Sequence, residues 1–145
     1  MDVIVLDTSV LVYALGGPHC HQAPCRALLD AVAGGRVAAT TTAEVIQEFA
    51  YVRARRRGRQ DAAQHALDSI ELLSPLVQVS EEHVRAGLDL WQRHPALGPF
   101  DAVLAAVAVA RGATLLSADR AFGSIPGLDH LIPTSEAVVA LGAQR

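Results

Sequence analysis

Four acidic residues, Asp7, Glu48, Asp101 and Asp119, stand where side chains could do chemistry together. Asp7 ends the apolar, β-branched run Val3-Ile4-Val5-Leu6, and Asp119 follows shortly after Thr114-Leu115-Leu116. Both sit at the carboxyl ends of strand-like segments, where open α/β sheets place their ligand sites. Glu48 lies between apolar Ile46 and Phe49, past the first turn of a helix, with Glu44 four residues earlier on the same face. Asp101 falls in the first turn of an Ala-rich helix. Carboxylates crowded together repel unless a cation joins them. Oxygen-only ligands favour a hard divalent ion, Mg²⁺ or Mn²⁺, which keeps several waters and binds substrate phosphates. Each residue also has a plain structural role open to it. Asp7 can cap the helix that follows, and Glu44 can complete a capping box with Thr41. Asp101 can complement a helix dipole and Asp119 can serve a turn.

The elements that must position these residues alternate between helices and short apolar strands, which predicts an α/β/α sandwich around a mostly parallel sheet. About five strands are expected, over residues 3–6, 37–40, 76–79, 113–116 and 131–132. Helical spacing predicts a short helix after Asp7, then helices over about 22–33, from Thr41 or Thr42 into the arginines, over about 61–73, from Ser80 through Gln92, over 100–111, and from Ser135 to about Leu141. Gly16-Gly17-Pro18, Gly34-Gly35, Gly58 and Gly112 punctuate them.

The totals narrow the class. With 145 residues, 51% hydrophobic and 19% charged, the chain reads as one globular domain over 1–145 with a real core. No apolar stretch approaches the roughly 20 residues of a membrane span. The N-terminus reads as a strand and not as a basic leader, and Cys20 and Cys25 fit reduced thiols, so a cytoplasmic location is expected. The net charge is −3, yet all 12 basic residues are Arg, and Arg53, Arg55, Arg56, Arg57 and Arg59 fall within seven positions. That cluster could grip the phosphates of a nucleic acid, or it could be a solvated helix end that suits the dipole. His19, Cys20, His21 and Cys25 fit no standard zinc spacing. Tyr13, Tyr51 and Trp91 read as packing residues, and with 4% aromatics no base-stacking platform is expected.

Taken in order, the acidic motifs resemble a known family. Val5-Leu6-Asp7-Thr8-Ser9, then Val45-Ile46-Gln47-Glu48-Phe49, Phe100-Asp101-Ala102-Val103-Leu104-Ala105-Ala106 and Leu115-Leu116-Ser117-Ala118-Asp119-Arg120-Ala121-Phe122 look like the four acidic motifs of a PIN domain. The resemblance is nearer still to the VapC-type ribonuclease toxins of bacterial toxin–antitoxin pairs. Ser117 stands where that family often has Thr, and either supplies a hydroxyl. The resemblance implies a Mg²⁺- or Mn²⁺-dependent endoribonuclease, with Asp7, Glu48, Asp101 and Asp119 as catalytic metal ligands. Thr8, Ser9 and Ser117 would orient carboxylates or waters. Glu48 is favoured over Glu44 for the second acidic position, which leaves Glu44 a supporting part. A homodimer and a cognate antitoxin covering the acidic cleft are implied as well. A phosphatase with Asp7 as nucleophile would need a second Asp at position 9 and a Lys, and the chain has neither. The alternative outside enzymes is a catalytically silent PIN-fold module that binds RNA or protein.

Overall fold

The computed structural model describes residues 2–144. The strands are β1 (Val3–Leu6), β2 (Ala38–Thr40), β3 (Thr114–Leu116) and β4 (Asp129–Leu131), all parallel, in the order β2-β1-β3-β4. Among the described residues seven α-helices flank the sheet: α1 (Thr8–Leu15), α2 (Gln22–Ala33), α3 (Ala43–Arg57), α4 (Arg59–Leu73), α5 (Glu81–Arg93), α6 (Pro99–Arg111) and α7 (Ser135–Ala143). A 3₁₀ turn over Arg120–Ser124 follows β3.

The sheet has four strands and not the expected five. Around Val77, pairing reduces to one parallel bridge with Thr42, in which the Val77 N–H donates to the Thr41 carbonyl at 2.9 Å. Immediately past β2 the chain turns into the first turn of α3, so no neighbouring strand exists for residues 76–79 to extend along. The other strand expectations hold within a residue or two.

β1 and β3 are central and their apolar runs are buried. Val5, Leu6, Leu115 and Leu116 are fully enclosed, together with Val10, Leu11, Leu28, Phe49, Val107 and Phe122. Each such side chain contributes about 1.5–3 kcal/mol of burial. α6 presents Ala102, Ala105, Ala106 and Ala108 to the interior. α5 comes so close to it that a Cβ on Gly87 would lie 2.5 Å from the Val103 Cα.

Of the two threonines that could start α3 the structure selects the second, and the cap of α7 moves by one residue. Thr42, not Thr41, caps α3, accepting from the Val45 N–H at 3.2 Å. Thr41 instead donates to the Leu6 carbonyl at 2.6 Å, tying the start of α3 to β1. The Thr41–Glu44 capping box is therefore absent. Likewise Thr134 caps α7 in place of Ser135, because its hydroxyl reaches the Ala137 N–H at 3.1 Å. Gly58, at φ 87, turns the chain sharply between α3 and α4, so Arg59 belongs to the second of these helices. Trp91 and Tyr51 do not pack in the core; they are 44% and 63% exposed. Among the described residues no helix is long and apolar enough to cross a membrane.

Candidate active site

Parallel pairing carries the ends of β1 and β3 to one edge of the sheet. The Asp7 N–H extends the pairing by donating to the Leu116 carbonyl at 3.0 Å. Asp7 is buried and caps α1. One of its oxygens, Oδ2, accepts from the Ser117 hydroxyl at 2.7 Å, the Ser9 hydroxyl at 2.9 Å and the Ser9 N–H at 3.4 Å. The three donors all converge on Oδ2, which leaves Oδ1 available toward the cleft. Ser9 also accepts from the Ala118 N–H at 3.1 Å, and Ser117 from the Asp119 N–H at 3.0 Å. The two serines thus join the loop after β3 to the start of α1 and fix Asp119 relative to Asp7. Asp119 caps the 3₁₀ turn with Oδ1, at 2.9 Å from the Ala121 N–H, and stays exposed.

α3 and α6 bring the remaining acids. Asp7, Glu48, Asp101 and Asp119 line one cleft of about 610 Å³, with Thr8, Ser9, Val12, Tyr13, Gly16, Gly17, Pro18, His19, Val52 and Arg56. Glu44 is absent from that lining. It lies instead in a separate apolar groove of about 300 Å³ with Val84, Leu88, Phe100 and Val103, between α5 and α6. The two glutamates occupy the same helix stripe, yet the ends of that stripe look into different clefts.

The electrostatics follow from the crowding. Burial first, then the charges of Asp7, Glu48 and Asp119, push the Asp101 carboxyl up to about 7. Burial and Asp7 also raise Glu48, and the neighbouring Thr8 hydroxyl offsets part of the rise. That Thr8 hydroxyl is buried and faces Glu48 without reaching full hydrogen-bond geometry with it or with any other group among the described residues. Among the described residues no three acidic, His or Cys side chains approach closely enough to enclose an ion by themselves. The donor set still fits a hard cation. It consists of oxygens that repel one another, one orphaned hydroxyl that a coordinated water would satisfy, and room for the waters such ions keep.

The arginines separate into distinct roles. Arg53 donates to both oxygens of Asp61, at 2.5 and 3.4 Å, and to the Leu15 carbonyl, so it clamps α1, α3 and α4 together. Its hydrogen bond holds the Asp61 carboxyl below its usual range. Arg55 reaches the Tyr51 hydroxyl at 3.2 Å and lies over that ring. Arg56 alone of the five lines the acidic cleft, and with Arg53 and Arg57 it borders an adjoining hollow of about 190 Å³.

This arrangement has relatives. A family model described as PIN domain matches residues 4–128, a span that contains all four acids. The chain belongs to the PIN-domain family. Within it, Ribonuclease VapC7 of Mycobacterium tuberculosis is 49% identical over 99% of this chain and 100% of its own length. Ribonuclease VapC13 of the same organism is 33% identical over 89% and 99%. Two solved structures share the fold. VapBC2 from Rickettsia felis, bound to a DNA fragment from its promoter, has a TM-score of 0.69 at 20% identity, covering 90% of this chain and 98% of its own. A toxin–antitoxin complex from Klebsiella pneumoniae has a TM-score of 0.66 at 16% identity with the same coverage.

The PIN-domain cleft also contains residues to which the sequence alone gives no place in the site, Tyr13 reading as packing and His19 as part of a group without a zinc pattern. Tyr13 and His19 stand on its wall, and Arg56 was not distinguished from its neighbours. Part of the signal is present: Glu48, Val52 and Arg56 recur at intervals of four, as do Ser9 and Tyr13, which puts each set on one helical stripe.

Proposed function

We propose that this PIN domain, folded as a single unit, is a Mg²⁺- or Mn²⁺-dependent endoribonuclease toxin acting in the cytoplasm. The observation that carries the reading is the convergence of four carboxylates from the end of β1, α3, α6 and the loop after β3 on one open cleft, with Arg56 the one arginine among the described residues on its wall. A divalent ion bound there supplies an acidified water and neutralises charge on the phosphoryl oxygens. Asp7, Glu48, Asp101 and Asp119 would hold it, directly or through water. Ser9 and Ser117 keep Asp7 oriented with Oδ1 free, and Thr8 orients a water beside Glu48. Arg56 places an RNA phosphate against the acids, which would otherwise repel the substrate.

The toxin–antitoxin complexes that share this fold support an antitoxin partner for this chain, which we place over the acidic cleft. Val84, Leu88 and Trp91, at i, i+4 and i+7 on α5, are exposed beside the apolar groove. An apolar stripe of this kind supports a homodimer contact, since a monomer leaves it in water.

The test is cleavage of single-stranded RNA by the purified protein. Mg²⁺ or Mn²⁺ should be required, EDTA should stop the reaction, and Asp7→Asn should be inactive while still folded. Cleavage by Asp7→Asn at the wild-type rate would refute the assignment.

A further inference from the structure

The wall of the cleft opposite in character to its acids is a pair of stacked rings. Tyr13 of α1 and His19 of the following loop have centroids 4.1 Å apart and planes inclined by 20°. His21 closes the group, 5.5 Å from His19 and 5.4 Å from Tyr13. Tyr13 is half-buried and His19 exposed, and both line the cleft that contains the four carboxylates. The His21 N–H donates to His19 Nδ1 at 3.1 Å, which fixes the ring orientation and puts the proton of the neutral imidazole on Nε2. His21 is anchored in turn against the Pro133 carbonyl at 3.3 Å.

We infer that Tyr13 and His19 form a stacking platform for a nucleobase next to the phosphate held at the acidic residues, making His19 a substrate-positioning residue. The inference rests on the RNA-cleaving reading. An imidazole already backed by a tyrosine and pinned at Nδ1 loses little freedom when a base settles on it. Stacking on an aromatic platform tolerates any base, because every base has a π-face. It also adds to what holds the strand: the acids of the cleft repel RNA, and among the described residues that line it Arg56 is the one arginine that attracts it. A base on the ring wall and a phosphate on Arg56 hold the strand from two sides.

The experiment uses the full chain and short single-stranded RNAs with 2-aminopurine placed at successive positions. Binding and fluorescence are read in an Asp101→Asn background, which prevents turnover, and cleavage is read in the Asp101 protein. One position should be quenched on binding. His19→Ala should lose that quench and weaken binding roughly tenfold, with kcat/KM falling through KM. His19→Phe, which keeps a ring and removes the Nε2 proton, should restore both. Melting temperatures matching the parent protein establish that the variants are folded. Unchanged quench and affinity in His19→Ala, with RNA still cleaved by the wild-type protein, overturns the platform alone and leaves the rings to a protein side chain. Equal losses in His19→Ala and His19→Phe overturn stacking and assign His19 to hydrogen bonding. No RNA binding or cleavage by any form overturns the platform and the ribonuclease reading together.

Discussion

The Ser117 hydroxyl donates to Asp7 Oδ2 at 2.7 Å, across 110 positions of sequence, and has no exposure to solvent. With Ser9 on the same oxygen, it fixes which face of the carboxylate looks into the cleft. Ser117 is therefore a structural part of the acidic site even though it carries no charge.

Ser117→Ala removes that bond and the acceptor for the Asp119 N–H. We expect a loss of about 1.5–3 kcal/mol in urea unfolding, the range for a hydrogen bond to a charged group. RNA cleavage should fall at the same time, because Asp7 can rotate. A variant as stable and as active as the parent would show that Ser9 alone orients Asp7.

Glu48 and Glu44 should separate cleanly. Glu48→Gln is expected to abolish cleavage while stability stays level or rises slightly, since a charge repelled by Asp7 has gone. Glu44→Gln should keep most activity, because Glu44 lies in the other groove. The opposite pattern in a cleavage assay would transfer the second acidic position to Glu44.

The raised carboxyl of Asp101 makes the metal-free protein sensitive to pH in a defined direction. Between its unfolded value of 3.8 and its folded value of about 7, the native state retains a proton that the unfolded chain has released. Stability from this group therefore falls as pH rises from about 4 to 7 and levels off above. Asp101→Asn should be more stable than the parent at pH 8 in EDTA, and the gap should close toward pH 4. A gap that does not change over this range would contradict the crowding.

Arg53 and Arg56 should fail in different ways. Arg56→Gln is expected to flatten the salt dependence of RNA binding, by about 0.7 in the slope of log affinity against log salt for one phosphate contact on a single strand. Arg53→Gln should leave that slope alone and lower the melting temperature, because it breaks the clamp on Asp61 and Leu15. Equal slopes for Arg56→Gln and the parent would remove Arg56 from the RNA path.

Much of this was legible beforehand because β1, β3 and the acids at their ends carry strong local signals: apolar runs cut off by a carboxylate. The fifth strand was misread because Leu76-Val77-Gln78-Val79 has strand composition, and composition says nothing about whether a partner edge is free. Glu44 was explained by a spacing to Thr41, but Thr41 spends its hydroxyl on Leu6, a contact 35 positions away. The rings of Tyr13 and His19 were missed for the same reason. Their meeting depends on the path of the Gly16-Gly17-Pro18 loop, and no periodicity encodes it.

The strand order β2-β1-β3-β4 has a consequence for the protein while it is being made. β1 emerges well ahead of its central neighbour β3, since Ser117 follows Asp7 by 110 positions and Asp119 comes later still. Until then Asp7 lacks one of its orienting hydroxyls and the cleft lacks a wall, so the nascent chain carries Asp7 and Glu48 in an unassembled site. The acidic site is therefore assembled only once β3 and the loop after it have been made, long after Asp7 itself.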